Sequence, residues 1–362
     1  MSFKRTPTID RSVLKDIEKI LDSGILSGYR GTKEGNDGGE YVQYLERTFK
    51  GYFRVKYALA INSATAGLYA SLVALRIGKG DKVLVTPYSF VSSASCVLMA
   101  GAKPVFIDIE PDYFNMDTNI LYDIDMTNVK AIIPVHLHGH PANMHNLMTV
   151  AKKYGLKVIE DAAQAITAKI GNQYVGTIGD CGVFSFNQSK HISTGEGGMV
   201  LTNSDEIAER IKAVRNHGEI SNPSLGIVGY NFRMCEIEAA LALSQFRKID
   251  EQVDRRIELA NYLTGKLQGV GGIIPPKVHK DCKHVYYTYS IKCDDRERVL
   301  SKLNENEIYF GKYVTPIYDL PAFEKADCPV VEDISRSVLV TDMIRPPATF
   351  EDMDRIAEAI RC

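Results

Sequence analysis

The chain has 362 residues, of which 45% are hydrophobic and 24% charged; this is a globular composition and excludes a collagen-like or largely disordered chain. Lysine and arginine number 43 against 45 aspartates and glutamates, so the formal charge of -2 gives no sign of a nucleic-acid partner. Seven scattered cysteines, never spaced C-x-x-C, fit a reducing compartment. With no signal-peptide pattern and no stretch apolar enough to span a membrane, we expect a cytoplasmic protein without a membrane partner.

Helical and strand patterns alternate along the first 250 residues. Apolar residues at helical spacing predict an amphipathic helix over 10–21, and the glycine-rich stretch 27–39 predicts a loop that covers a ligand. Short, continuously apolar runs, typical of strands covered on both faces, follow at 57–61, 82–85, 104–107, 131–135, 157–159, 182–186 and 199–202. Helical patterns lie between several of these runs, at 64–76, 92–100 and 144–154. The alternation predicts an α/β fold with a mostly parallel sheet of about seven strands and helices on both sides.

The pattern changes after residue 231. Helices are predicted at 234–249, 251–267, 297–304 and 350–360, with a strand at 287–291. This segment therefore predicts a smaller α+β unit. We divide the chain into a large domain, residues 1–250, and a small C-terminal domain, residues 251–362.

The familiar signatures of phosphate-binding loops, zinc proteases and serine hydrolases are absent from the sequence. Three alternate histidines, His136, His138 and His140, would share one face of an extended strand and could then bind a metal ion. The run, however, leaves a predicted buried strand and enters a turn with Gly139 and Pro141, and no Asp, Glu or Cys stands in the same turn. We therefore interpret the three as structural histidines and expect no metal.

Polar residues follow three of the predicted strands, at the sheet edge where open α/β folds bind ligands. Residues 62–67 follow the first strand and open a helix, which suits either a phosphate site or a simple helix cap. Glu160 and Asp161 end another strand. Lys190 follows a third, next to the glycine-rich stretch 194–198. From the residues alone, it is either a surface lysine or a desolvated amine suited to Schiff-base chemistry.

Seven motifs together resemble those of a known family. They occur in order at 62–68, 87–91, 160–164, 185–190, 194–198, 215–218 and 231–234. Over nearly its whole length the chain is similar to the DegT/DnrJ/EryC1/StrS family of pyridoxal-phosphate (PLP) sugar aminotransferases. The resemblance implies the aspartate aminotransferase-like fold, fold type I, with PLP as the cofactor.

The resemblance also implies roles for individual residues. Lys190 resembles the lysine that forms the Schiff base with PLP, and Asp161 resembles the carboxylate that keeps the pyridine nitrogen protonated. These two are the predicted catalytic residues. Gln164 matches a residue near the cofactor's 3-oxygen, and Phe90 matches the residue that stacks on the pyridine ring. The competing interpretations are that Asp161 caps a following helix and that Phe90 belongs to the core.

The phosphate of the cofactor has predicted partners of its own. Ala64, Thr65 and Ser185 match the phosphate-holding positions of the family, in agreement with the helix start described above. Asn231 matches an asparagine that reaches the phosphate from the neighbouring subunit. The resemblance thus implies a homodimer with shared active sites.

The implied reaction moves an amino group from an amino acid, which we expect to be glutamate, to a keto sugar, which we expect to be nucleotide-linked. However, Gln188 and Ser189 stand where the family commonly has Pro-Thr or a similar pair, and the stretch 32–39 is longer than usual. The first departure resembles the branch that acts on cyclitols and related free keto compounds. The alternatives are therefore an aminotransferase for a free keto sugar acid or cyclitol, a PLP-dependent dehydratase, and a non-catalytic PLP-binding regulator.

Overall fold

The computed structural model describes residue 9 and residues 11–29, 37–218 and 226–361. Its α-helices are α1 (Leu14–Ser23), α2 (Glu40–Phe53), α3 (Ala64–Ala74), α4 (Ser92–Met99), α5 (Met144–Tyr154), α6 (Asp205–Arg215), α7 (Glu236–Phe246), α8 (Ile249–Leu267), α9 (Arg296–Glu305), α10 (Pro329–Ser337) and α11 (Phe350–Arg361). Its strands are β1 (Tyr57–Ile61), β2 (Lys82–Val85), β3 (Lys103–Phe106), β4 (Val129–Ile133), β5 (Lys157–Asp161), β6 (Lys169–Ile170), β7 (Gln173–Tyr174), β8 (Cys181–Ser185), β9 (Gly198–Thr202), β10 (Ile273–Ile274), β11 (Cys282–Lys283), β12 (Tyr289–Cys293) and β13 (Val338–Thr341). Most of the predicted ligand-covering loop, residues 30–36, lies outside the described residues.

The seven predicted strands form one sheet, in the order β1-β9-β8-β5-β4-β2-β3. The five strands from β8 to β3 in that order run parallel to one another, whereas β9 is antiparallel to both of its neighbours, β8 and β1. Observed strand ends differ from the predicted ones by at most two residues. The predicted α/β fold with a mostly parallel seven-stranded sheet is confirmed.

Helices cover both faces of this sheet. On one face, Ile61, Val85 and Ile159 pack with residues of α3, α4 and α6. On the other face, Phe184 and Leu201 pack with α2 and α7, while the central strands pack with α5. Because successive strand residues point to opposite faces, a strand covered on both sides must be apolar throughout. This explains why the sequence shows continuous apolar runs rather than alternation.

The C-terminal part has an antiparallel sheet of its own, in the order β10-β12-β13, which shares an apolar cluster with α8, α9 and α11. The short strand β11 pairs with β6 of the preceding part of the chain. The helix α10 also packs against that part, where Val331 and Ile334 share an apolar cluster with Tyr88 and Leu137. The helix α8 contributes Ile249 and Val253 to the core under the large sheet, and Leu259 and Leu263 to the C-terminal core. The division after residue 250 stays a prediction.

The sequence patterns did not predict α2, α6, α10 and β13, nor the two-residue strands β6, β7, β10 and β11. In α2 the buried residues Val42, Leu45, Phe49 and Phe53 recur at helical spacing, a signal that could have predicted it. The cysteines of the described part are free thiols. None of the described helices is long and apolar enough to cross a membrane.

Candidate active site

A buried carboxylate lies at the carboxyl edge of the large sheet, where β5 ends. The Asp161 Oδ2 atom accepts a 2.7 Å hydrogen bond from the Ser93 hydroxyl, and Oδ1 accepts one of 3.2 Å from the Ala163 amide. Burial raises the pKa of the Asp161 carboxyl, although these two donors and the positive charge of Lys190 act in the opposite direction. A further cation would therefore stabilise the ionised form. The helix-cap interpretation is wrong, because the next element after Asp161 is β6.

Lys190 lies in a turn after β8, close enough to Asp161 for its charge to act on that carboxyl. The Lys190 amide donates a 2.9 Å hydrogen bond to the Asn187 carbonyl, which closes the turn. The Gln188 amide donates one of 2.9 Å to the carbonyl of Gly195. The side chain of Lys190 is partly buried. The structure thus brings together an amine and a carboxylate that are 29 residues apart in sequence (190 − 161).

Gln164 is buried and connects two further segments of the site. Its Oε1 atom accepts a 2.8 Å hydrogen bond from the amide of His138, and its Nε2 atom donates one of 2.7 Å to the Tyr313 hydroxyl. Burial raises the pKa of Tyr313 well above its ordinary value, so the hydroxyl stays protonated. Because that oxygen accepts from Gln164, its own proton can be donated to a second acceptor.

The start of α3 has the features of an anion site. The Ser63 hydroxyl accepts a 3.1 Å hydrogen bond from the Ala66 amide and so caps the helix. The amides of Ala64 and Thr65 belong to the first turn, where no intrahelical acceptor exists. These amides and the positive end of the helix dipole favour a phosphate.

The end of β8 is held close to this helix start by a glycine. Ser185 pairs with Gly198 of β9, and a Cβ atom on Gly198 would lie only 2.9 Å from the Ala64 nitrogen. Any larger residue would push β9 away from the start of α3. The predicted phosphate partners Ala64 and Ser185 thus both lie beside Gly198. The close approach of Ala64 is a steric reason for glycine at position 198.

Two of the predicted cofactor contacts are exposed. Phe90 is 60% exposed, so the interpretation of it as a core residue is wrong. Its carbonyl accepts a 3.1 Å hydrogen bond from the amide of Ser93, the residue that binds Asp161. The exposed Asn231 accepts a 3.0 Å hydrogen bond from Arg233 at its Oδ1 atom, and one of 3.3 Å from the Asn62 side chain at its carbonyl.

The three alternate histidines are buried and have hydrogen-bond partners. These are Glu160 for His136, Thr288 for His138 and the Pro141 carbonyl for His140. Burial lowers the pKa of His138 to about 3 and that of His140 to about 4, so both rings are neutral. Nowhere in the described ranges does a group of three His, Cys, Asp or Glu side chains stand ready to hold a metal ion.

The donor set of this edge fits PLP. A buried carboxylate to which the described part of the chain supplies two donors suits a protonated ring nitrogen, and an adjacent amine suits an aldehyde. Helix amides beside Ser185 suit a phosphate, and the exposed ring of Phe90 suits a flat heterocycle.

Sequence reasoning missed three residues that contact the predicted site. Ser93 lies 68 residues before its partner Asp161, and Tyr313 lies 149 residues after its partner Gln164. Tyr287, from the C-terminal part, lies beside Lys190. Only the polar cluster 92–95, unusual inside a buried helix, marked one of them in the sequence.

Comparisons with known proteins agree on one group. The sequence model of the DegT/DnrJ/EryC1/StrS aminotransferase family matches residues 9–361. The UDP-N-acetyl-3-dehydro-alpha-D-glucosamine 3-aminotransferase of Acidithiobacillus ferrooxidans is 35% identical over 96% of this chain and 93% of that protein. The GDP-perosamine synthase of Caulobacter vibrioides is 35% identical over 79% of each chain. The crystal structure of DesV from S. venezuelae superposes with a TM-score of 0.90 at 29% identity, over 99% of this chain and 98% of that one.

Proposed function

The chain belongs to the DegT/DnrJ/EryC1/StrS aminotransferase family, and from that premise we propose that it uses PLP to transfer an amino group from an amino acid to a nucleotide-linked keto sugar. The observation that carries the proposal is the pairing of a buried carboxylate with an amine at the carboxyl edge of the sheet. Asp161 accepts few hydrogen bonds for a buried charge, and Lys190 lies close enough for its positive charge to interact with the carboxylate. Carboxyls whose pKa is shifted by burial beside a charged partner cluster at functional sites.

The residues proposed to hold the ring of PLP come from three segments of the chain. Asp161 would bind the protonated ring nitrogen, since burial makes a cationic partner favourable. Gln164 would lie near the 3-oxygen, and Phe90 would cover one face of the ring. Lys190 would bind the aldehyde carbon through Nζ.

The phosphate would bind at the start of α3. The amides of Ala64 and Thr65 and the hydroxyl of Ser185 supply uncharged donors. A dianion calls for more donors than these, and charge-assisted hydrogen bonds are the strongest available. This need supports a contribution from Asn231.

When bound, PLP supplies an electron-accepting ring that stabilises negative charge on the carbon losing its proton. Asp161 keeps the ring nitrogen protonated, and Ser93 and Ala163 hold its two oxygens in place. Lys190 Nζ would act first as the general base that takes a proton from the Cα atom of the amino donor. It would then act as the general acid that gives a proton back. Donor and acceptor use the same site in turn, so ping-pong kinetics are expected.

The substrate class is proposed from the relatives. Two of them are named for nucleotide-linked sugars, one for a UDP sugar and one for a GDP sugar. Both are more than 30% identical to this chain over most of its length. We therefore favour a nucleotide-linked keto sugar over a free keto sugar acid or cyclitol, with glutamate as the expected amino donor.

Isotope transfer tests the proposal. The purified protein, loaded with PLP, is incubated with 15N-glutamate and with panels of nucleotide-linked keto sugars, free keto sugar acids and keto cyclitols. We expect 15N in the product of at least one nucleotide-linked sugar, together with release of 2-oxoglutarate. Turnover of free compounds alone would contradict the substrate class, and loss of water without 15N uptake would contradict transamination.

One contact disfavours the dehydratase alternative. In that group a histidine replaces the reactive lysine, and here His191 directly follows Lys190. The His191 ring is buried, and its Nε2 atom forms a 2.9 Å hydrogen bond with the Val285 carbonyl. Burial lowers the pKa of His191 well below its ordinary value. This ring is therefore neutral and held by a backbone carbonyl.

We further propose that the active unit is a homodimer in which Asn231 completes the neighbour's phosphate site. Asn231 is exposed, and the nearby Val228 and Tyr230 are exposed apolar residues, with Val228 at 81%. Exposed apolar groups together mark interaction surfaces. A two-fold axis would let each chain complete the other's site.

Complementation tests the shared site. Asn231→Ala and Lys190→Ala should each be weakly active or inactive alone. After subunit exchange, verified by mass spectrometry of differently tagged chains, the mixture should regain part of the activity, because half of the sites in a heterodimer are intact. No recovery despite proven exchange, or a fully active monomer in sedimentation, would contradict shared sites.

A further inference from the structure

The amine of Lys190 lies over the ring of a tyrosine from the C-terminal part. Its Nζ atom is 4.2 Å from the centre of the Tyr287 ring, within the range of a cation–π contact. The two residues are 97 positions apart in sequence (287 − 190). The contact therefore depends on how the C-terminal part packs against the turn that follows β8.

The Tyr287 ring is fixed from both ends. The backbone amide of Tyr287 donates a 2.8 Å hydrogen bond to the carbonyl of His138, and the amide of His138 in turn donates one to Gln164. The Tyr287 hydroxyl donates a 3.0 Å hydrogen bond to the Ser189 side chain, next to Lys190. A ring held at the backbone and at the hydroxyl has little freedom to turn away, so it presents a constant face to the amine.

Ser189 carries this restraint into the turn that bears the lysine. Its hydroxyl donates a 3.1 Å hydrogen bond to the Oδ1 atom of Asn187, and the Asn187 Nδ2 atom donates one of 3.0 Å to Glu196. Tyr287, Ser189 and Asn187 thus form one hydrogen-bonded chain around Lys190. Ser189 is one of the two residues that differ from the pair usual in the family. These contacts give it a role in holding the lysine, whichever substrate class that difference indicates.

We propose that Tyr287 is a positioning residue for Lys190, whose ring face receives the amine whenever it is not bonded to the cofactor, and that Ser189 fixes this ring. The proposal rests on the proposed function for its chemical consequence. Lys190 must take a proton from the donor and so become an ammonium group at a fixed place. An aromatic face stabilises that cation where a leucine side chain would not.

The contact itself is tested on the cofactor-free protein, without any activity. The protein is labelled with 13C at the lysine ε-carbons, and the Lys190 signal is identified by its loss in Lys190→Arg. A methylene group over an aromatic face is shifted upfield by the ring current. We expect an upfield-shifted Lys190 signal that persists in Tyr287→Phe and disappears in Tyr287→Leu. An unshifted signal, or one unchanged in Tyr287→Leu, would overturn the placement.

The consequence is tested on the PLP-loaded protein by single-turnover reaction with glutamate. Tyr287→Leu should slow the half-reaction by about tenfold, with the glutamate concentration for half-saturation unchanged. The rate ratio for glutamate against glutamate deuterated at Cα should increase, because proton removal becomes slower. Tyr287→Phe should recover most of the rate. A rate, or an isotope ratio, equal to that of the unmodified protein in Tyr287→Leu would overturn the role.

A double-mutant cycle tests the part played by Ser189. Tyr287→Phe removes the hydrogen bond between Tyr287 and Ser189, and Ser189→Ala removes that bond together with the one to Asn187. Ser189→Ala should therefore have the larger of two small effects, and the double variant should be no worse than Ser189→Ala alone. Additive effects would overturn the link.

Tyr113→Leu is the matched control for Tyr287→Leu, since this partly buried tyrosine stacks on His140 instead. An equal loss in that control would assign the Tyr287 effect to general destabilisation and overturn the proposal. If the unmodified protein transfers no nitrogen while the upfield shift is present, the proposed function fails and the placement stands.

Discussion

Two adjacent carboxylates at the end of β5, Glu160 and Asp161, have opposite surroundings. Successive residues of a strand point to opposite faces of the sheet. Glu160 is fully buried and accepts four hydrogen bonds, one from His136 and three from backbone amides of the segment 176–179. Asp161 is almost as buried but, among the described residues, accepts only two, from Ser93 and Ala163.

The difference supports the proposal that Glu160 is structural and that Asp161 is available for chemistry. Every lone-pair direction of the Glu160 carboxylate is used by the fold itself, since a carboxylate has about four acceptor sites. Asp161 has capacity left, and burial raises its pKa. A group that the fold leaves short of partners is the one that gains most from a ligand. The Asp161 side of β5 is therefore the proposed reactive side, and the Glu160 side is its support.

The largest effect is expected on the reactive side. Asp161→Asn removes the charge proposed to keep the ring nitrogen of PLP protonated, so we expect transamination to fall roughly 10²–10³-fold while the fold survives. Steady-state kinetics with saturating PLP, together with circular dichroism of the variant, check this. A kcat near that of the unmodified protein would show that the cofactor is misplaced.

On the supporting side the same chemical change should act on stability instead. Glu160→Gln turns one acceptor oxygen into a donor that faces other donors, at a cost of about 3 kcal/mol in the free energy of unfolding. Urea denaturation measures the loss. The kcat of the folded variant should stay within about twofold of normal, as expected for a change that does not act on the transition state. A large loss of kcat without loss of stability would erase the distinction between the two carboxylates.

A smaller effect is expected from the hydroxyl that orients Asp161. Ser93→Ala removes a hydrogen bond to a charged group, which should lower PLP affinity or kcat by about tenfold. Ser71→Ala is the matched control, because this buried serine binds the carbonyl of Gly67 within α3 and no carboxylate. Equal losses in both variants would mean that the effect comes from general destabilisation.

The smallest effect concerns the cofactor-free protein. Because burial raises the folded-state pKa of Asp161 above its unfolded value near 4, its ionisation costs the fold free energy. This cost is absent below the unfolded pKa, grows as the pH rises to the folded pKa and persists above it. Without cofactor, Asp161→Asn should therefore be more stable than the unmodified protein at neutral pH, with a difference that shrinks towards pH 4. Thermal unfolding across this range would contradict the account if the unmodified protein were the more stable at every pH.

Local patterns were sufficient to predict the large sheet, because most of its strands are buried on both faces and therefore read as continuous apolar runs. The same logic could not predict the direction of β9, since an antiparallel strand buried on both faces has the same pattern as a parallel one. Nor could it predict β13, which pairs with β12 from 45 residues away (338 − 293). Pairing partners are set by tertiary packing.

The site divides in a similar way. Polar residues at strand ends could be identified from the predicted sheet, and the family resemblance then favoured Asp161 over Glu160 as the cofactor's partner, which composition and spacing alone could not. That choice stays a prediction. The contacts of Ser93, Tyr287 and Tyr313 depend on segments 68 or more residues away, and no local pattern carries that information. The hydrogen-bonding capacity that a buried carboxylate has left depends on its neighbours in the folded chain, so the sequence alone does not reveal it.

The most direct test of the account is the chemical identity of the lysine that binds the cofactor. The purified protein, loaded with PLP, should absorb visible light, and borohydride should fix the cofactor irreversibly to a single peptide with Lys190 as the modified residue. Lys190→Ala should lose this covalent label while still retaining some PLP through its phosphate. Labelling at any other lysine, or full covalent labelling of Lys190→Ala, would contradict the proposed site.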